Sequence, residues 1–193
     1  MRASLPFTRA AILSPELAFS QPHSPFTRQT EAELRRWWAV AQDRGADAAY
    51  PRVTGYTDAE AILQTLIGIG ASILAPAAFQ DTGIQPLAWH YMGAEFKAIQ
   101  ALSPVTGALR GCSAHSIADL QAAEALGFDY AFLSPIFPTQ THPDATALGL
   151  AHLQDACTAV KLPIIALGGV DFKNAAACLQ AGAAGWAGIR CWM

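Results

Sequence analysis

In Pro163-Ile164-Ile165-Ala166-Leu167-Gly168-Gly169-Val170 an apolar run of strand length, 163–167, leads into a turn with two glycines. Seven more short apolar runs, at 10–14, 48–53, 72–76, 86–92, 105–110, 130–136 and 185–190, have the same size. Helix-like stretches separate most of them. Thr30-Glu31-Ala32-Glu33 reads as a capping sequence ahead of Leu34, Trp37, Trp38 and Ala41, which recur at helical spacing. Ser116 followed by Asp119 opens a second helix with Leu120, Ala123 and Leu126 on one face, and 174–180 forms a third, closed by Gly182. Strand and helix in alternation predict parallel strands joined by crossovers. Eight such strands predict an α/β fold, a small TIM (β/α)8 barrel spanning 1–193 as one domain. A TIM barrel usually takes about 250 residues, so short loops are expected. The stretch 77–85 is too short for a full helix, and the sequence stops at Met193, straight after the eighth run, so the last outer helix is expected to be missing. A doubly wound open sheet is the alternative, but no GxGxxG follows the first strand.

Composition narrows the function. Hydrophobic residues make up 52% of the 193 and charged residues 14%, enough apolar side chain to offset ordering entropy. Twelve Lys and Arg against fifteen Asp and Glu leave a net charge of −3, with no basic excess to neutralise phosphates of a nucleic acid. No apolar run approaches the ~20 residues of a membrane span, and the N-terminus is a poor secretory signal. Cys112, Cys157, Cys178 and Cys191 form no CxxC pair, so a zinc site is not expected, and reduced thiols in a cytoplasmic protein are.

Chemistry concentrates at the ends of the strand-like runs. Ser134-Pro135-Ile136-Phe137-Pro138-Thr139-Gln140-Thr141, then His142, restrains its backbone with two prolines and offers hydroxyls and an imidazole, a set suited to an oxyanion or to a Pro-rich surface loop. Gly168 and Gly169 allow a ligand close to the backbone, or make a plain tight turn. Barrel loops after strands seven and eight often hold a phosphate, and here they are the Gly168-Gly169 turn and 188–190, where Arg190 adds a bidentate charge. His115, beside Ser113 and Ser116, reads as orienting its turn or as touching a ligand. The stretch 19–28, with His23, reads as the first strand-to-helix loop. His90 lies in an aromatic run, and His152 is assigned a structural place on a helix. Of the adjacent Trp37 and Trp38, one is expected in the core and the other at a contact. Trp186 and Trp192, beside the missing helix, are expected to be exposed, which predicts a homodimer or an N-terminal segment folded over them.

Gly111-Cys112-Ser113-Ala114-His115-Ser116, Gly127-Phe128-Asp129-Tyr130, Leu133-Ser134-Pro135-Ile136-Phe137-Pro138-Thr139, Leu148-Gly149-Leu150 and 163–170 resemble, in order and spacing, thiamine phosphate synthase and its TenI-like relatives. The resemblance implies a TIM barrel that binds phosphorylated thiazole or pyrimidine compounds. It implies a magnesium-assisted reaction in which an aminomethylpyrimidine diphosphate loses diphosphate and the pyrimidinylmethyl cation is trapped by the nitrogen of thiazole phosphate. By the same resemblance, Ser113 approaches the pyrimidine and diphosphate, Thr139 and Thr141 hold phosphate oxygens, and Gly169, Ile189 and Arg190 cradle the thiazole phosphate. His142 stands where the family has a lysine on the diphosphate.

The N-terminal half departs from that pattern. Tyr50-Pro51-Arg52-Val53-Thr54 keeps only the arginine, Arg52, of the family's Gln-x-Arg-x-Lys. Ile73-Leu74-Ala75-Pro76 stands where the family has Asn-Asp-Arg, and the fourth-strand acid has no clear counterpart near His90-Tyr91-Met92, so the usual magnesium ligands are absent and no metal site is assigned. Three functions follow: a thiamine phosphate synthase-like transferase, a TenI-like thiazole tautomerase with His115 or His142 as base, and a non-catalytic binder of a phosphorylated heterocycle. The tautomerase carries a histidine at the position of Ser134.

Overall fold

A computed structural model describes residues 4–19, 25–99, 107–141 and 143–193. Eight strands, β1 (Arg9–Leu13), β2 (Ala48–Pro51), β3 (Leu74–Pro76), β4 (Ala88–Tyr91), β5 (Leu109–Ala114), β6 (Tyr130–Leu133), β7 (Ile164–Ala166) and β8 (Gly185–Gly188), lie in the order β2-β1-β8-β7-β6-β5-β4-β3. Every pairing between them is parallel. The two ends of that order meet where Ala49 pairs with Ile73 and the Ala49 N–H donates to Ser72 O at 2.9 Å. The sheet is a barrel, as the eight apolar runs predict. Helices α1 (Pro15–Ala18), α2 (Arg28–Asp43), α3 (Ala59–Gly68), α4 (Gly93–Ala98), α5 (Ile117–Leu126), α6 (Gly149–Ala159) and α7 (Ala175–Gln180) connect the strands, and a 3-10 stretch, Ala77–Thr82, replaces a helix between β3 and β4.

Strands covered on both faces need apolar side chains in both directions. Phe7, Ile12, Tyr50, Leu74, Tyr130, Phe132 and Ile165 fill the barrel interior. A second apolar layer lies between strands and helices, where α2 contributes Leu34, Trp37, Trp38 and Ala41. This corrects the expectation that the adjacent tryptophans part company. Positions i, i+3, i+4 and i+7 form a stripe wide enough to bury both, and both indoles are buried. The cap of α2 also sits three residues earlier than expected. Thr27 and Thr30 satisfy each other's backbone N–H groups across the first turn. Ser116 does cap α5, accepting from the Asp119 N–H at 3.1 Å.

The fifth strand is displaced from the expected 105–110, of which 105 and 106 lie outside the described residues; it runs Leu109–Ala114. Gly111 sits inside it because the Tyr130 ring on the neighbouring strand occupies the place a side chain at 111 would take. Of the expected loop 19–28, residues 20–24 lie outside the described residues, and α2 already begins at Arg28. All four cysteines are free thiols, and three of them are buried. Among the described residues, no helix is long and apolar enough to cross a membrane.

After β8 the described residues turn through a short 3-10 segment, Arg190–Trp192. The expected exposure of Trp186 and Trp192 is overturned, since they are 3% and 0% exposed. Trp192 folds back and stacks on Trp186 with centroids 5.0 Å apart, and Phe172 meets both rings edge-on. The Arg44 guanidinium, just past α2, donates to the Cys191 carbonyl at 2.7 Å and pins the turn. One tryptophan therefore covers what a helix covers elsewhere in the barrel, and the argument for a homodimer loses its premise. Trp192→Ala is expected to cost about 3–5 kcal/mol of stability in urea denaturation, whereas Leu17→Ala at an exposed site should stay within about 0.5 kcal/mol.

Candidate functional site

Parallel strands in a barrel bring all their C-terminal ends to one mouth. A cavity of about 820 Å³ opens there, within the ~300–1,000 Å³ usual for small-molecule sites. Ile12, Tyr50, Ser113 and Ala187 reach it from the strands, and the loops that follow β2, β4, β5, β6, β7 and β8 build its rim. The geometry gathers ten of the eleven residues singled out from the sequence. Arg52 stands just beyond β2, Ser113 in β5, His115 just after it, Ser134, Thr139 and Thr141 after β6, Gly168 and Gly169 after β7, and Ile189 and Arg190 after β8. The eleventh, His142, lies outside the described residues, as does His23.

The two glycines, which line the cavity, also make room for a neighbouring loop. Gly168 has φ +86°, and a β-carbon there would lie 2.6 Å from Pro135 Cα; one at Gly169, φ +66°, would lie 2.5 Å from Pro138 O. Their missing side chains admit the Pro135–Pro138 backbone, which the Ile136 and Phe137 N–H groups fasten by donating to Leu167 O and Gly168 O at 2.9 Å. The glycine pair thus fixes the β6 loop against the β7 loop, and the two line the cavity as one wall. Within that wall Thr139 Oγ1 accepts from the Thr141 N–H at 3.3 Å, leaving its own proton to donate. His115 fastens a third loop: its ring Nδ1 lies 2.8 Å from Ser134 O, and its N–H donates to Asp119 Oδ2 at 2.9 Å. A carbonyl only accepts, so Nδ1 carries a proton, and in the neutral ring Nε2 then keeps the lone pair.

Charge at the mouth is mainly positive. Arg52 and Arg190 are exposed, and neither is salt-bridged among the described residues. All fifteen acidic side chains of the sequence are described, and Asp171 alone of them lines the cavity. Its Oδ1 already accepts from the Lys173 N–H at 2.8 Å. Magnesium held by protein wants one or two carboxylates with free oxygens. One partly engaged carboxylate is a poor match, and no cluster of three or more metal-ligating side chains occurs among the described residues. The donor set does not fit a magnesium site.

Sequence reading passed over the interior of the barrel. His90 is fully buried, with its ring between Tyr50 and Phe132, Nε2 at 3.0 Å from Ser113 Oγ and Nδ1 at 3.2 Å from the Tyr130 hydroxyl. A signal was present: Ala88 and His90 share one face of β4, opposite Trp89 and Tyr91. Burial pushes the His90 imidazole down to about 3, so the ring is neutral at ordinary pH. The unfolded chain takes up that proton from about pH 6.5 downward. The folded chain resists it, so stability falls as pH drops. The expected loss from His90 is about 2 kcal/mol between pH 7 and pH 5. Urea denaturation at both values should show that increment, and His90→Gln should lack it.

Residues 90–191, just over half the chain, match the family model described as thiamine monophosphate synthase. A thiamine-phosphate synthase of Prochlorococcus marinus (strain MIT 9303) is 43% identical over 75 residues, covering 39% of this chain and 21% of the relative. One from Bacillus velezensis is 38% identical over 77 residues, covering 39% of this chain and 34% of the relative. In each case the chain spans well under half the length of the curated relative that it matches. A thiamine phosphate pyrophosphorylase from Pyrococcus furiosus superposes with a TM-score of 0.70 at 20% identity, over 95% of this chain and 85% of that one.

Proposed function

This chain belongs to the thiamine monophosphate synthase family, and on that premise we propose that its cavity works as a thiamine phosphate synthase-like transferase, joining a hydroxymethylpyrimidine diphosphate to a thiazole phosphate. The observation that carries the proposal is the convergence of Arg52, Ser113, Thr139, Thr141, Gly169 and Arg190 on one cavity from separate loops and strands. The bond from the pyrimidinylmethyl carbon to the diphosphate oxygen breaks, with the electron pair leaving on oxygen. The thiazole nitrogen lone pair then bonds that carbon. Arg190, the Thr139 and Thr141 hydroxyls and the Gly169 backbone hold the thiazole phosphate and so hold its nitrogen in place. Arg52, at the end of β2 and one strand removed from β8, offers a second positive charge for the departing diphosphate. Because the donor set does not fit magnesium, no step is assigned to the metal.

A second reading, a thiazole tautomerase, has one observation in its favour: the fixed tautomer of His115 leaves Nε2 as a base at the cavity mouth. The partner in either case is a small phosphorylated heterocycle, and a cytoplasmic place fits it.

The test is formation of thiamine phosphate from the two substrates, with magnesium or with EDTA. Product supports the transferase. A proton shift on the thiazole phosphate alone supports the tautomerase, and binding without turnover of either kind refutes both in favour of a binder. In calorimetry Arg190→Ala is expected to weaken thiazole phosphate about ten-fold to a hundred-fold, the worth of one charge-assisted contact. The thiazole alcohol should bind poorly to both forms. Equal affinity for alcohol and phosphate would remove Arg190 from the site.

A further inference from the structure

Beneath the cavity the barrel encloses a three-member chain of polar groups. Tyr130 is fully buried, its ring laid over the vacant side of Gly111, and among the described residues its hydroxyl has His90 Nδ1 as its hydrogen-bond partner. His90 Nε2 in turn faces Ser113 Oγ, and Ser113 lines the cavity. We infer that Tyr130 and His90 are positioning residues whose hydrogen bonds run outward, so that Ser113 meets the ligand as a hydrogen-bond donor.

The direction follows from counting protons. A phenol buried in a dry interior must place its O–H proton on an acceptor. The acceptor within reach is the lone pair of His90 Nδ1, so Tyr130 donates and Nδ1 is unprotonated. A neutral imidazole has one N–H, and burial keeps this ring neutral. The proton is therefore on Nε2, which donates to Ser113 Oγ at 3.0 Å. Ser113 accepts from inside and keeps its own O–H proton for the cavity. The opposite direction would turn the Ser113 proton inward and strand the phenol proton without an acceptor. A Ser113 that donates selects a ligand atom with a lone pair at that point of the cavity, and a ligand donor there would meet a proton.

Gly111 belongs to the same device. A side chain at 111 would displace the Tyr130 ring and remove the group that sets the direction. The tautomer stands independently of the proposed transferase; the consequence for turnover rests on that reading.

Nitrogen-15 NMR of the unmodified, ring-labelled chain tests the direction, with His90→Gln used to assign the signal. A neutral ring protonated at Nε2 is expected. Protonation at Nδ1 would overturn the inference whatever the enzyme does. In the turnover assay His90→Leu and Ser113→Ala should each lower kcat/KM at least about ten-fold, and the double variant should be no worse than either, as groups acting in one chain behave. His90→Gln, whose amide N–H can take the place of Nε2–H, should recover most of the His90→Leu loss. Additive losses, or no recovery with glutamine, would overturn the positioning role. If neither substrate is turned over but the Nε2 tautomer is found, the transferase reading fails while the relay stands.

Discussion

A closed ring of eight short parallel strands has an inside that side chains must fill, and almost everything else in this molecule answers to that requirement. Strands of three to six residues give the interior few positions to fill. Large rings occupy several of them: Phe7, Tyr50, Tyr130 and Phe132 meet edge-on or tilted, with His90 among them. Such rings fit only where neighbours give way, which is why Gly111 lies inside a strand. Filling the lower barrel with rings leaves the open volume at the C-terminal mouth, where the loops close around it.

The same economy explains the C-terminal turn. A stacked Trp186–Trp192 pair with Phe172 across it shields the outer side of β8. Arg44 ties that turn to the end of α2, so the cavity wall formed by Ile189 and Arg190 is held from outside the barrel. Beside that wall, since β8, β7 and β6 are consecutive in the barrel, the Gly168-Gly169 turn and the β6 loop brace each other through backbone hydrogen bonds. The groups along this wall have their positions set by these contacts, so a ligand docking there would be spared the cost of ordering loops.

Charge sets the chemical character of the mouth. Among the described residues two guanidinium groups without a salt bridge, those of Arg52 and Arg190, line a cavity to which one carboxylate, that of Asp171, contributes, so anions are favoured over cations. The family resemblance carries magnesium with it, but the acids that would hold it are not at this cavity. Placement of all fifteen carboxylates makes that a statement about the whole sequence.

Much of this was legible in the residues. Short apolar runs in alternation with helical stretches point to parallel strands covered on both faces, and their number to a barrel; its closure through Ala49 and Ile73 belongs to the tertiary structure. The strand-end motifs mark the rim, because in a parallel barrel strand ends can only gather at one mouth. Tertiary structure decided what depends on contacts between distant residues. Trp192 is buried because it reaches Trp186 and Phe172, and nothing in a terminal Arg-Cys-Trp-Met announces that partner. Trp37 and Trp38 are both buried because the apolar layer around the barrel is wide enough for two indoles. The glycines after β7 serve the approach of another loop, a distance that no local pattern encodes. His90 looked like a polar interruption in an aromatic strand; only the closed barrel gave it Tyr130 on one nitrogen and Ser113 on the other, because strands four, five and six must lie side by side before those three groups can touch.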